Sequence, residues 1–240
     1  MKNADWKMLH QSDESWRRRI IGDINEVFVV PRYVDLFYSY FSASYHLKIL
    51  ELGAGTGDLS TAILKVNQGQ IGHWTASEYF SEGVEWLRKQ DYHDVIQVDA
   101  CATQLPSHTY DVCVEFDVMH HVVNPRAMAY EMMRLAKGRC LLVESNGLSI
   151  FRKLKELTPA HRIAGERSFT PRTWKGFFEN HPGFQLTQFE IFPFLFPFRV
   201  PKPMVQALAG FNRVIEKVPF LRWQCSSVGI YLEYDADGNT

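Results

Sequence analysis

The stretch LKILELGAGTGDLSTAI, from Leu47 to Ile63, places a short apolar run directly before three glycines that stand at every second position. The run from Leu47 to Leu52 has the length and composition of a buried strand. A glycine-rich turn from a first strand into a helix lets backbone approach a ligand closely, and the helix that begins near Gly57 offers unpaired N–H groups to a polar or anionic group. The stretch therefore predicts the ligand-binding edge of a parallel sheet.

The glycine spacing distinguishes two classes of adenosine-containing ligand. A dinucleotide site needs a third glycine three positions after Gly55, where this chain has Asp58. From Glu51 the chain reads E-x-G-x-G-x-G instead, and an acid beside the loop suits a ligand with an ammonium and a sulfonium better than a pyrophosphate. A glycine turn that binds no ligand is the alternative that the isolated motif leaves open.

The surrounding chain alternates short apolar runs with helical patterns, which indicates a parallel sheet with helices on both faces. Asn124 can cap a helix whose first residue is Pro125 and whose end is marked by Gly138. Residues 5–45 predict one or two leading helices, broken near Pro31. Strands are expected at 47–52, 73–78, 94–99, 111–116, 139–145, 184–192 and 227–234, and later helices after Thr170-Pro171 and at 203–217.

Acidic residues follow the next predicted strands at the points where those strands end. Glu78 stands 21 residues past Gly57, where an acid accepts hydrogen bonds from ribose hydroxyls in nucleotide-binding sheets. Asp99 ends the third strand, and the run Glu115 to Asp117 ends the fourth. Each acid taken singly is more often a solvated surface residue, but their shared position predicts one binding edge.

These motifs, with the segment VMHHV from Val118 to Val122, resemble the class I S-adenosylmethionine-dependent methyltransferases, and among them the small-molecule group. The resemblance covers residues 45–145 well and the rest in outline. It implies an α/β, Rossmann-like fold whose seven-stranded, mostly parallel sheet ends in an antiparallel strand. The implied organisation is one domain over 1–240, with a helical cap at 1–45, a cofactor-binding core at 46–150 and an acceptor-side half at 151–240 that carries a lid-like insertion.

The resemblance also implies S-adenosyl-L-methionine as cofactor, S-adenosyl-L-homocysteine as product, and a set of contacts. Three parts of the cofactor are assigned to residues. Expected at the methionine end are Glu51, Gly53, Ala54, Gly55, Gly57 and Glu115, with Arg32 a candidate for the carboxylate; expected at the ribose is Glu78; and expected at the adenine are Tyr79, Asp99, Ala100 and Phe116.

Methyl transfer from a sulfonium depends chiefly on positioning, and a general base matters only for an acceptor that is protonated at the working pH. Candidates at the predicted edge are His120, His121 and Glu144, with Asn146 and His161 further along. Adjacent helical residues point about 100° apart, so at most one of the two neighbouring histidines faces the acceptor. A packing role for that pair is the alternative. The histidines and cysteines lack the spacing of a zinc site, so no metal is expected.

The acceptor is predicted from the second half of the chain. The segment IFPFLFPFRVPKPM, Ile191 to Met204, has four phenylalanines at every second position. With residues 151–170 it is expected to form a lid over a small, apolar or aromatic acceptor, with O-methylation favoured slightly over N- or C-methylation of a lipid-like acceptor. Burial of these rings in the core is the alternative.

Charge and composition limit the other classes of function. Residues 1–150 carry 14 Lys and Arg against 19 Asp and Glu, whereas residues 151–234 carry 12 against 6. The pI of 6.8 makes a nucleic-acid partner unlikely, while the basic, aromatic second half leaves peripheral membrane contact open. Four scattered cysteines favour a cytoplasmic location. A catalytically inactive cofactor-binding subunit and a nicotinamide-dependent oxidoreductase are further alternatives.

Overall fold

The computed structural model describes residues 29–157, 167–179, 184–193 and 202–234. Seven strands and eight helices lie in these ranges. The strands are β1 Leu47–Leu52, β2 Ile71–Glu78, β3 Asp94–Gln97, β4 Val112–Phe116, β5 Arg139–Ser145, β6 Phe184–Phe192 and β7 Ser227–Tyr234. The helices are α1 Val30–Phe41, α2 Asp58–Lys65, α3 Ser81–Leu87, α4 Pro125–Leu135, α5 Ile150–Glu156, α6 Pro171–Gly176, α7 Lys202–Ile215 and α8 Pro219–Arg222.

The strands form one sheet in the order β3-β2-β1-β4-β5-β7-β6. Strands β1 to β5 pair in parallel, and β7 runs antiparallel to both β5 and β6. This arrangement confirms the predicted Rossmann-like fold. The chain builds outward from β1 through β2 to β3 and then crosses to β4, so the order reverses between β1 and β4. Ligands bind at such a reversal, outside the carboxyl ends of the strands.

Two apolar clusters enclose the sheet. Successive side chains of β1 enter different clusters, Leu50 and Leu52 one and Ile49 the other, so the clusters lie on opposite faces. Residues of α4 and α6 belong to the first cluster and residues of α1 and α2 to the second. Coverage of both faces explains why the central strands read as continuous apolar runs.

Several predicted boundaries are wrong by a few residues. Strand β2 begins at Ile71, and β3 ends at Gln97, before the acid that was expected to end it. Helix α4 has the predicted Asn124 cap but stops at Leu135. The next residue, Ala136, is extended and forms a bridge with Tyr110, so pairing beside β4 ends the helix earlier than Gly138 would.

Helix α1 closes one face of the sheet through aromatic packing. It begins at Val30, with Pro31 in the first turn, where the missing N–H group costs no hydrogen bond. The Phe37 ring is fully buried, and its centroid lies 4.8 Å from that of Phe41 and 5.9 Å from that of Trp74. The rest of the predicted leading helices lies outside the described residues.

The second half of the chain joins the same sheet through β6 and β7. Phe192, the first phenylalanine of the predicted lid segment, is buried with its ring 5.5 Å from Tyr33, so it belongs to the core. The remaining lid phenylalanines and His161 lie outside the described residues, and both the lid and the domain subdivision stay predictions. None of the helices in the described ranges is long and apolar enough to cross a membrane.

We expect Phe37→Ala to lower the free energy of unfolding by about 3–5 kcal/mol, because it removes a buried ring and leaves a cavity between α1 and the sheet. Urea unfolding measures the loss. Tyr45→Ala, at a side chain that is 74% exposed, is the matched control and should cost less than about 0.5 kcal/mol. Equal losses in the two variants would contradict the packing described for α1.

Candidate active site

The glycine turn after β1 requires glycine for two reasons. Gly53, Gly55 and Gly57 have φ angles of +73°, +58° and +77°, in the left-handed region that side chains disfavour. Space is also lacking: a Cβ atom on Gly53 would lie 2.5 Å from Cγ1 of Val118, and one on Gly57 would lie 2.5 Å from the Tyr92 hydroxyl. The turn is therefore a backbone cradle that fits closely against its neighbours.

Two hydrogen bonds fix this turn to the end of β2. The Ala54 N–H donates to the Ser77 carbonyl oxygen at 2.8 Å, and the Gly55 N–H donates to Oε2 of Glu78 at 3.0 Å. Oε1 of Glu78 accepts from the Tyr79 N–H at 2.8 Å. Burial raises the pKa of Glu78, and these backbone donors oppose the rise. The predicted ribose-binding acid thus lies directly beside the predicted methionine-binding loop.

A depression of about 410 Å³ opens beside Tyr79, the residue that follows Glu78. It has the size of a small-molecule site. Its lining combines the ends of β2 and β3 with the start of α3, and consists of Tyr79, Phe80, Ser81, Glu82, Gln97, Val98 and Asp99. Tyr79 and Asp99, both predicted at the adenine, therefore share one concave surface, and half-buried Ala100 is next along the chain.

The loop after β3 is anchored from α4. Glu131 accepts hydrogen bonds from the Thr103 N–H at 2.9 Å and from the Arg134 guanidinium at 2.7 and 2.8 Å. The Arg134 guanidinium is the main reason that the pKa of Glu131 falls to about 2. Asp99 is fixed in turn by accepting from the Cys101 N–H at 2.8 Å. No local pattern in the sequence predicts this anchor, because Glu131 lies 28 residues from Thr103.

Glu51 lies beneath the glycine turn, on the same sheet face as Ile49. Its side chain is buried, and Oε2 accepts a hydrogen bond from the Trp74 indole at 3.0 Å. Burial raises the pKa of this carboxyl to about 7, against hydrogen bonds from Ser60 and Trp74 that lower it. Its predicted contact with the methionine end stays a prediction.

Glu115, at the end of β4, supports the turn that presses on Gly53. Its Oε2 accepts from the Val118 N–H at 3.1 Å and more weakly from the Met119 N–H. Oε1 is buried and has no hydrogen-bond partner among the described residues. Burial, and next the neighbouring Glu144 carboxylate, raise the pKa of Glu115 well above its ordinary value. Phe116, half-buried, lies beside it with its ring 6.3 Å from that of Tyr33.

The structure brings the three predicted catalytic residues together. Nδ1 of His120 lies 2.7 Å from Oε2 of Glu144, and the His120 N–H donates to Oε1 at 3.1 Å. Both side chains are buried, and burial raises the pKa of Glu144. The His121 ring packs 4.0 Å from that of His120 and is more exposed. The β4 turn and the end of β5 thus form one imidazole–carboxylate pair with a second imidazole beside it.

A tyrosine from α1 completes this polar cluster. The Tyr33 hydroxyl donates to Oδ2 of Asp117 at 2.9 Å, and Asp117 has a left-handed φ of +57°. Asp117, His120 and Glu144 each offer one potential metal-ligating atom, all within 4.8 Å of one another. The expectation of no metal rested on spacing along the chain, which does not reveal this juxtaposition, and it stays an expectation.

Two other predicted residues have partners within the fold. Nη2 of Arg32 lies 2.5 Å from Oε2 of Glu216, and the guanidinium stands 5.7 Å over the Phe192 ring. Contact of Arg32 with a cofactor carboxylate would require this ion pair to open, and that role stays a prediction. Asn146 donates to the Cys225 carbonyl oxygen at 2.8 Å, which ties the end of β5 to the start of β7.

Known methyltransferases resemble this chain in sequence pattern and in fold. Residues 50–143 match the family model of a methyltransferase domain. An S-adenosylmethionine-dependent methyltransferase from Archaeoglobus fulgidus is 17% identical over 85% of this chain and 92% of that chain, with a TM-score of 0.60. A complex between the Haloferax volcanii Trm112 methyltransferase activator and a putative methyltransferase matches at 10% identity over 97% and 99%, with a TM-score of 0.68. The cyclase SpnF matches at 16% identity over 85% and 80%, with a TM-score of 0.59.

A search of the curated proteins found no match. Residues 50–143 match a methyltransferase domain, and this match, together with the fold, supports the predicted S-adenosylmethionine-dependent methyltransferase class and its cofactor. Two features suit that cofactor: a left-handed glycine turn that presents bare backbone at the end of β1, and a buried carboxylate oxygen of Glu115 that has no hydrogen-bond partner among the described residues and favours a cation nearby. Structural similarity at 10–17% sequence identity is evidence for the fold only. The acceptor is determined by the residues at the carboxyl edge of the sheet.

We expect Glu78→Ala to weaken S-adenosylhomocysteine binding at least about tenfold, because a carboxylate that accepts charge-assisted hydrogen bonds contributes about 1.5–3 kcal/mol per bond. Isothermal titration calorimetry measures the change. Glu85→Ala, exposed on α3 and outside the depression, is the matched control and should shift Kd less than about threefold. An acceptor KM that rises as much as the cofactor Kd would contradict the ribose assignment.

Glu51 gives a pH-dependent prediction. Its carboxyl ionises near pH 4.5 when unfolded and near pH 7 when folded, so between these values the folded state retains a proton that the unfolded state has released. Stability from this group is therefore lost as pH rises from about 4.5 to 7. Glu51→Gln should remove the loss, and urea unfolding should show the variant gaining on the wild type across that window. A difference that stays constant with pH would refute the burial of an ionisable Glu51.

Proposed function

We propose that this methyltransferase methylates a hydroxyl group of a small, apolar or aromatic acceptor, with His120 as the general base and Glu144 as its positioning partner. The observation that carries the proposal is the buried contact of 2.7 Å between Nδ1 of His120 and Oε2 of Glu144, at the edge of the sheet that carries the glycine turn. His121 and Glu144 are the remaining catalytic candidates from the sequence.

The chemistry of the pair follows from its hydrogen bonds. When bound, S-adenosylmethionine supplies an activated methyl group on a cationic sulfur. Glu144 also accepts hydrogen bonds from the backbone N–H groups of His120 and Ser145, and these bonds hold its carboxylate in place. An ionised Glu144 accepts the proton on Nδ1 of His120, and Nε2 is then the nitrogen that takes the hydroxyl proton. A phenol, with a pKa near 10, needs such a base at neutral pH.

An amine acceptor is the second candidate, and a specific observation favours it. Oε1 of Glu115 has no hydrogen-bond partner among the described residues, and burial, followed by the Glu144 and Asp117 carboxylates, raises the pKa of Glu115. A cation placed there would be stabilised by three acids. An ammonium must lose one proton before transfer, and a carboxylate with a raised pKa can receive it. A lipid-like amine is one acceptor that this second candidate includes.

A catalytically inactive, cofactor-binding subunit is the alternative from another class. A structural neighbour is a putative methyltransferase in complex with the Trm112 activator, so a protein partner for this fold has a precedent. Such a subunit would bind S-adenosylhomocysteine and transfer no methyl group when assayed alone. Nucleic acid is not favoured as an acceptor by pI 6.8.

Labelled cofactor and a panel of phenols, alcohols and amines test the proposal. We expect His120→Ala to lower kcat on hydroxyl acceptors about 10²–10⁴-fold, the usual contribution of a general base, with the Kd of S-adenosylhomocysteine unchanged within about threefold. His73→Ala, near the amino end of β2, is the matched control and should leave both kcat and the Kd of S-adenosylhomocysteine unchanged.

Other outcomes decide between the candidates. Transfer only to amines, with kcat insensitive to His120→Ala, would support the amine candidate and overturn the hydroxyl assignment. Full activity of His120→Ala on phenols would reduce the pair to a packing role. Cofactor binding without transfer to any acceptor in the panel would favour the inactive subunit.

A further inference from the structure

Helix α7 presents an apolar face to the surface. Met204, Ala207, Phe211 and Val214 recur at intervals of three and four residues, which places them on one side of the helix, and all four are exposed. Phe211 is 53% exposed and Val214 is 56% exposed. Val218, which is extended and lies just before α8, is also exposed. An amphipathic helix in a globular protein normally turns its apolar face toward the core.

Helix α8 follows α7 after three residues and adds exposed aromatic residues. Phe220 is 81% exposed, and Trp223, directly after the helix, is 46% exposed. Leu221 lies exposed between them. A single exposed apolar side chain is ordinary, whereas a continuous row of them marks a binding surface.

The start of α5 is tied to the same region. The Ile150 N–H donates to Oε1 of Gln224 at 3.0 Å, and the Ser149 hydroxyl donates to the Gln224 carbonyl oxygen at 3.0 Å. Ile150, Leu154 and Leu157 recur at intervals of four and three residues, and all are exposed. We call the exposed apolar and basic residues of 148–157 and 202–224 the basic apolar surface.

Its charge is strongly asymmetric. The two segments carry seven Lys and Arg against two Glu. Both carboxylates already have cationic partners, since Glu216 lies 2.5 Å from Nη2 of Arg32 and Glu156 lies 3.1 Å from Nζ of Lys153. Arg213 and Lys217 are exposed beside the apolar row. The surface therefore combines apolar and aromatic side chains with a net positive charge.

We propose that the basic apolar surface docks on an anionic lipid bilayer. Aromatic and aliphatic side chains of an amphipathic helix enter the boundary between head groups and acyl chains, while Lys and Arg remain at the anionic head groups. A second copy of the chain is a poorer occupant, because it would bring a second set of exposed cations against Lys153, Arg213 and Lys217. The proposal is independent of the acceptor atom and stands even if the proposed hydroxyl chemistry fails.

Flotation of the full chain with vesicles tests the docking. Vesicles of phosphatidylcholine alone are compared with vesicles that contain roughly 30% phosphatidylglycerol, because an anionic leaflet contributes about 1 kcal/mol per basic residue, or about fivefold in partitioning. We expect binding to the anionic vesicles only, reduced at least about tenfold in about 0.5 M salt.

Two variants locate the contact. Phe220→Ser should lower partitioning about tenfold or more, and Lys217→Glu about fivefold or more, since they remove buried apolar area and an attractive charge. The matched controls are Tyr45→Ser, 74% exposed, and Lys65→Glu at the exposed end of α2, and neither should alter binding. Unchanged S-adenosylhomocysteine affinity confirms that each variant is folded.

Four results would overturn the proposal: no binding to anionic vesicles, equal binding to neutral vesicles, binding that Phe220→Ser and Lys217→Glu leave unchanged, or a dimer in size-exclusion chromatography that Phe220→Ser dissociates. The last result would assign the surface to a second copy of the chain.

Discussion

The left-handed turn of Gly53 to Gly57 depends on a steric constraint from another strand. Val118, in the turn after β4, lies where a Cβ atom on Gly53 would be. That valine is fixed because its N–H donates to the buried Glu115. The ends of β1 and β4, which are the two sides of the topological reversal, are therefore coupled through one close contact. A larger residue in the turn would displace the β4 turn, and with it the following segment that holds His120.

Burial of acids at this edge opposes stability. Glu51, Glu78, Glu115 and Glu144 are all buried, and burial raises the pKa of each. Folding gains little from such groups, because desolvation of a carboxylate costs several kcal/mol unless hydrogen bonds and charges offset it. Backbone N–H groups offset part of the cost at three of the four. Perturbed carboxyls concentrated at a sheet edge are typical of binding and catalytic sites.

The sequence contains the fold and the outline of the site, but not the pairs that complete it. Strand positions follow from local apolar runs, and the placement of Glu78 and Asp99 follows because parallel strands end at one edge. The contacts of Tyr33 with Asp117 and of Arg32 with Glu216 join residues 84 and 184 positions apart. Such pairing depends on how α1 packs over β7, which no local period encodes. Helix α4 also ends early because of a contact between distant parts of the chain: the pairing of Ala136 with Tyr110 overrides the local helical pattern.

The division of charge between the two halves of the chain also bears on turnover. In the proposed cofactor site, Glu51, Glu78 and Glu115 would face a cationic sulfonium before methyl transfer and a neutral thioether after it. Acids in those positions would favour entry of the charged form over retention of the neutral product. The basic residues lie on α5, α7 and α8, on chain segments that follow the cofactor-binding strands, so the positive surface does not have to be built from the elements that bind the cation.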